Sequence, residues 1–166
     1  KLNGNLVCDY IFLDENERRL FAQTKHKYLI EQVYLEKFDN IRELDLMVNL
    51  EFLLPLKELV WVLQSNNYIN KINDETKLEW NKYEIHNKNP ILKTELLFND
   101  WTRTMEMDYK YFNYIQPLKY HTRTPKKGVN VYSFSLNPES YNPSGHCGIK
   151  YITDKRMKFK FDQSVF

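Results

Sequence analysis

At 166 residues the chain is long enough for one domain with its own core, and 42% hydrophobic with 28% charged residues excludes simple disorder. Lys and Arg number 24 against 22 Asp and Glu, a net charge of +2, which argues against a dedicated nucleic-acid binder. No run of about 18 apolar residues occurs, so no membrane-spanning helix is expected. The single alanine, Ala22, and the 15% aromatic content favour pleated surfaces over helices. Cys8 and Cys147 are too few and too far apart for a disulfide framework and read as reduced thiols.

In chain order, residues 6–13 read as a short buried strand, apolar and rich in β-formers. Asp14 then has the character of an N-cap, with Glu17 at capping-box spacing, which predicts a helix over Glu15–Gln23. Residues 26–35 are a second extended candidate. Residues 41–52 alternate well: Leu44, Leu46, Val48, Leu50 and Phe52 share one face of a half-buried strand. Residues 55–64 fit either a helix or a strand, and the leading Pro55 with the Val and Trp content favours the strand. Residues 65–89 are polar and predict a long surface loop, with a short helix near 75–80. Residues 90–98 resume an apolar run, and an aromatic cluster over 109–115 ends at Pro117. The clearest strand is 129–136, expected in the core and ended by Pro138 and the Asn142-Pro143-Ser144-Gly145 turn. Residues 157–161 alternate once more. About seven or eight strands without alternating helices indicate an antiparallel sandwich.

Sites for chemistry are sparse. His26, His86, His121 and His146 show no metal-ligand spacing, and the adjacent His146-Cys147 pair cannot complete a tetrahedral site. A nucleophilic pair of Cys147 with His121 or His26 needs the fold to unite them; a buried structural Cys is the plainer reading. Four glycines, at 4, 128, 145 and 148, give no phosphate-binding loop. Lys25-His26-Lys27 and Lys126-Lys127-Gly128 read as solvated turns. The aromatics of 109–114 fit packing or an interface better than base stacking, because no basic groove accompanies them. No catalytic, cofactor-binding or metal-ligating residue is assigned.

Several stretches, in order, resemble the major capsid protein of the nucleocytoplasmic large DNA viruses. Asp9-Tyr10-Ile11-Phe12-Leu13-Asp14 with Glu17-Arg18-Arg19-Leu20-Phe21-Ala22-Gln23 is similar to the family's inter-domain strand and helix. His26-Lys27-Tyr28-Leu29-Ile30-Glu31-Gln32-Val33 and Pro55-Leu56-Lys57-Glu58-Leu59-Val60-Trp61-Val62-Leu63-Gln64 resemble parts of its second domain. Leu96-Leu97-Phe98-Asn99, Tyr111-Phe112-Asn113, Gln116-Pro117 and His121-Thr122-Arg123 follow in the family's order. Val131-Tyr132-Ser133-Phe134-Ser135-Leu136-Asn137-Pro138-Glu139 and Asn142-Pro143-Ser144-Gly145 complete the series. The chain departs from the family at His146-Cys147-Gly148, at Lys27 and at Asp100-Trp101-Thr102.

The resemblance implies an all-β, antiparallel jelly-roll sandwich, part of a double jelly-roll capsid subunit, with one short linker helix and long loops. It implies that residues 1–25 hold the last strand of a preceding jelly roll plus the linker helix, and that 26–166 form the second jelly roll without its closing strands. The implied partners are two further copies in a trimeric, pseudo-hexagonal capsomer, then neighbouring capsomers and minor capsid proteins. Proximity to an internal viral membrane is implied as well, and no nucleic acid or cofactor. The implied location is the virion, assembled in the host cytoplasm. Alternative readings are a divergent or truncated capsid paralogue, and a carbohydrate- or receptor-binding jelly roll using Trp80 or Trp101.

Overall fold

The computed structural model describes residues 4–69 and 79–165. The chain divides into two units, one ending at Tyr34 and the other beginning at Leu35. The first unit carries helix α1 (Glu15–Gln23), started by the expected capping box. The Glu17 amide donates to Asp14 Oδ1 at 2.8 Å, and the Asp14 amide donates to Glu17 Oε2 at 3.1 Å. Two orphan donors of the first turn are thereby satisfied locally, so four letters of sequence suffice to place this boundary. The Thr24 hydroxyl and His26 Nε2–H close the other end on the carbonyls of Leu20 and Phe21, at 2.7 and 2.6 Å.

The buried strand expected over 6–13 is not formed, nor is the one over 26–35. Neither stretch joins a ladder, and both are exposed, Phe12 to 92%. Their β-rich composition favours an extended backbone. A strand, however, becomes one only beside a partner, and the first unit offers none among the described residues.

The second unit contains strands β1 (Asp45–Asn49), β2 (Glu58–Trp61), β3 (Ile91–Phe98), β4 (Trp101–Asp108), β5 (Asn130–Ser133) and β6 (Lys155–Phe161). A four-stranded sheet has the order β1-β6-β3-β4, and β2 pairs with β5 in a second sheet; every pairing is antiparallel. Six strands stand where seven or eight were expected, among the described residues. The alternation of residues 41–52 holds around the shorter strand Asp45–Asn49, where Val48 and Leu50 are buried and Leu46 and Phe52 pack beside them, while Leu44, expected on the same face, is 43% exposed. The strand reading of 55–64 also holds, with Leu59 and Trp61 turned to the core and Val60 outward. Leu136, expected in the core, projects into solvent beyond the end of β5. A four-residue helix, α2 (Asn66–Ile69), opens the long polar loop. Most of the helix expected near 75–80 lies outside the described residues.

Strand β4 was not foreseen. It is reached from β3 through Asn99 and Asp100, whose φ angles of 50° and 64° are both left-handed. That is the signature of a two-residue hairpin turn whose twist matches the flanking strands. His86 and Asn87 repeat the pattern between Ile85 and Lys88, with φ of 49° and 63°. Asn, Asp and His tolerate this region better than other side-chain-bearing residues, so neither turn uses glycine.

One hydrophobic core joins both sheets. Ile91, Leu96 and Phe98 of β3, Met157, Phe159 and Phe161 of β6 and Val48 of β1 meet Tyr132 of β5, with Leu59 and Trp61 of β2 packed against them. Tyr132 and Phe134 meet edge to face at 4.9 Å, and Phe98 stacks on Phe134 at 6.1 Å. Two antiparallel sheets enclosing one core make a sandwich, the layer arrangement the alternating strands called for. Among the described residues no helix is long and apolar enough to cross a membrane.

Candidate assembly surface

The aromatic cluster of residues 109–115 lies on a helical stretch that continues through Pro117. Residues 109–120 are helical without a break, π-type over Tyr111–Ile115 and α-helical over Gln116–Tyr120, here α3. A proline ring collides with the carbonyl four residues back in a regular α-helix, and the wider π turn before Pro117 relieves that collision. The helical stretch has two faces. Phe112 points inward and meets Trp61 at 5.0 Å and Tyr132 at 6.5 Å, edge to face. Asn113 and Gln116 are buried with it, while Tyr114, Ile115 and Leu118 face solvent, Leu118 to 81%. Packing and an exposed apolar face therefore come from the same stretch.

A second exposed feature is the β3–β4 hairpin tip, where Trp101 is 78% exposed. The tip is anchored. The Asn99 amide donates to the Asp154 carbonyl at 2.8 Å, the Asp154 amide donates to Asn99 Oδ1 at 2.9 Å, and Arg156 pairs with Asp154 at 2.6 Å and with Asp100. A third is the loop after β5. Ser144 pins it: its hydroxyl donates to the Asn137 carbonyl at 3.0 Å and accepts the Asn137 amide at 2.7 Å. Tyr141 stands fully exposed on this loop.

The outward face of the four-stranded sheet is a ladder of opposite charges. Glu106 sits between Lys93 and Lys160, 2.7 Å from each, and Lys158 pairs with Glu95 at 3.1 Å. Hydrogen bonds from Lys160 and Lys93 hold the Glu106 carboxyl down to about 2. Like charges directly opposite would weaken the sheet, and the sequence places opposite ones.

The residues weighed for chemistry pair with local neighbours or face solvent. His26 stacks on Phe21 at 4.3 Å, and His86 lies in an exposed turn. His121 Nε2–H donates to Glu58 Oε2 at 2.9 Å, and His146 is exposed. Burial pushes the Cys147 thiol up, the reverse of what a nucleophile needs. Lys127 is tied to the Asn87 carbonyl at 2.9 Å, so that basic spot braces two turns. Among the described residues no three His, Cys, Asp or Glu gather as a metal site would require.

Comparison with known proteins gives these surfaces their context. The family model for the large eukaryotic DNA virus major capsid protein matches residues 17–165. Probable capsid protein 4 of Acanthamoeba polyphaga mimivirus is 31% identical, over 96% of this chain and 32% of its own length. The major capsid protein of Pyramimonas orientalis virus is 30% identical, over 93% of this chain and 41% of its own length. The solved structure of PBCV-1 VP54, fitted into a reconstruction of the virophage Sputnik, superposes with a TM-score of 0.74 at 24% identity, covering 92% of this chain and 43% of that one. The chain thus spans less than half the length of these relatives. The structural likeness bears out the expected fold class, an all-β antiparallel jelly-roll sandwich, with a few short helices where one linker helix was expected. The chain belongs to the large eukaryotic DNA virus major capsid protein family.

Proposed function

We propose that this chain is the second jelly-roll portion of a double jelly-roll subunit, three copies of which form a pseudo-hexagonal capsomer in an icosahedral viral shell. The observation that carries the reading is the family match across residues 17–165. The fold suits the role, because a shell needs rigid sandwiches to bear load and side-chain surfaces to meet neighbours. In this reading residues 1–25 supply the last strand of a preceding jelly roll and the linker helix; residues 4–25 are all exposed, including Leu6, Val7, Ile11 and Phe12, as a segment that pairs with a partner outside this chain's described residues would be. Exposed apolar patches of this kind mark contact surfaces. The face of Tyr114, Ile115 and Leu118 and the loop tip at Tyr141 are the surfaces offered to neighbouring copies, capsomers and minor capsid proteins. The role is structural rather than enzymatic, in the virion, after assembly in the host cytoplasm and over an internal membrane.

Quantitative mass spectrometry of purified particles tests this. Peptides of this chain should be among the most abundant in the virion; their absence from particles, with abundance in infected-cell extract, would contradict it. Trp101 supports a second reading, a glycan-binding module, since an exposed indole on an anchored tip suits a sugar face. Glycan binding lost in Trp101→Ala would favour it.

A further inference from the structure

The β2–β5 ladder fixes which backbone groups point outward. Its register pairs Glu58 with Ser133 and Trp61 with Asn130. The Phe134 amide donates to the Lys57 carbonyl at 2.9 Å, so the next pair in that register is a hydrogen-bonded one. Hydrogen-bonded and non-hydrogen-bonded pairs alternate in an antiparallel ladder. The backbone groups of Tyr132 and Asn130 therefore face β2, and those of Val129, Val131 and Ser133 point to the other side, the edge of β5 that joins no strand among the described residues. An open edge is a template for another strand.

Side chains occupy this one. The Ser133 amide donates to Gln116 Oε1 at 3.2 Å. Asn113 Nδ2 donates to the Val129 carbonyl at 2.5 Å and to the Lys126 carbonyl at 3.2 Å. Gln116 Nε2 donates to the Tyr111 hydroxyl at 2.8 Å, which fixes the orientation of its amide. Asn113 and Gln116 are 0% and 3% exposed. They are three residues apart, on one face of the helical stretch. Burying two amides costs free energy unless each finds partners, and apolar side chains would fill the same space without that cost. Gln116 Oε1 and Asn113 Nδ2 find theirs on the outward backbone groups of β5 and of the chain leading into it, and Gln116 Nε2 on Tyr111, whereas Asn113 Oδ1 has no partner among the described residues.

We propose that Asn113 and Gln116 guard the sheet edge: they close β5 against strand addition by a second copy of this chain. The inference rests on the fold and its hydrogen bonds, and stands or falls apart from the capsid reading. Gln116→Met keeps the length of the side chain and removes the acceptor. Ser133 amide exchange, followed by NMR, should then rise about tenfold, while the Tyr132 amide, inside the ladder, keeps its protection. Asn113→Asp keeps the shape and replaces the donor with a third acceptor, opening the edge from its other end. Either variant should show concentration-dependent association by light scattering beyond that of the parent chain. Unchanged Ser133 exchange in Gln116→Met overturns the proposal, as does a mass equal to the parent's for Asn113→Asp at every concentration. Association that Leu118→Lys abolishes runs through the helix face and overturns it too.

Discussion

Replacing Gly128 by alanine tests the packing that positions β5. Gly128 is buried at the turn leading into the strand, with φ of +89°, a left-handed conformation that side-chain-bearing residues rarely adopt. A Cβ built there would land on the Tyr83 carbonyl, 2.5 Å from its carbon and 3.0 Å from the Tyr83 Cβ. Backbone strain contributes about 1–2 kcal/mol. Forcing two backbone segments apart adds about 1–3 kcal/mol. The sum, about 2–5 kcal/mol, is a large share of the ~5–15 kcal/mol that holds a domain together. Gly148 is the control: its φ is −74° and a Cβ there would meet only the Tyr151 ring, at 3.7 Å. Gly148→Ala should stay within about 1 kcal/mol of the parent. Urea unfolding followed by tryptophan fluorescence measures both, read from midpoints at constant m. Equal stability of the two variants would refute the close approach of Tyr83 to Gly128.

Gly145 has φ of +132°, and a Cβ there would come within 3.3 Å of the Phe134 carbonyl, so Gly145→Val should lose about 1–3 kcal/mol in the same assay; a parent-like midpoint would count against the turn. The Glu106 carboxyl is held below its usual 4.5, at about 2, so its pairing stabilises the fold above pH 4.5 and fades as the pH falls from there toward 2. The side chain is 35% exposed and solvent screens it, which limits the effect to about 1 kcal/mol or less. Thermal melts across pH 2–7 should show a flatter acid limb for Glu106→Gln, and superimposable limbs would speak against the clamp. Phe112→Ala removes the ring that meets Trp61 and Tyr132 and should lose about 3–5 kcal/mol, read by calorimetry; a loss under 1 kcal/mol would place the ring outside the core. Iodoacetamide at pH 8 should label exposed Cys8 well before half-buried Cys147, whose thiol burial pushes up, and equal rates would contradict that burial.

The parts of this fold legible in the sequence are those decided locally. The Asp14 and Glu17 capping box needs only four residues, and it starts α1 where the spacing says. The two-residue alternation around Val48 shows which side chains of β1 go in, because one buried face demands it. Residues 6–13 carry the same β-rich letters and form no strand, since a ladder depends on a partner elsewhere in the chain. Strand β4 was missed for the opposite reason. Its Thr, Arg and Glu give little apolar signal, and the Asn99-Asp100 turn lacks the glycine usually sought. The aromatic cluster was legible as packing or interface, and it serves the first through Phe112. The roles of Asn113 and Gln116 could not be read, because their partners at Val129 and Ser133 lie 16 and 17 residues further along.

The central claim is that this chain is a building unit that multiplies by contact with copies of itself. The most direct measurement is the molar mass of the purified full-length protein, by size exclusion with light scattering at several concentrations. The account expects a stable three-copy species; a full-length protein that stays monomeric throughout would contradict it.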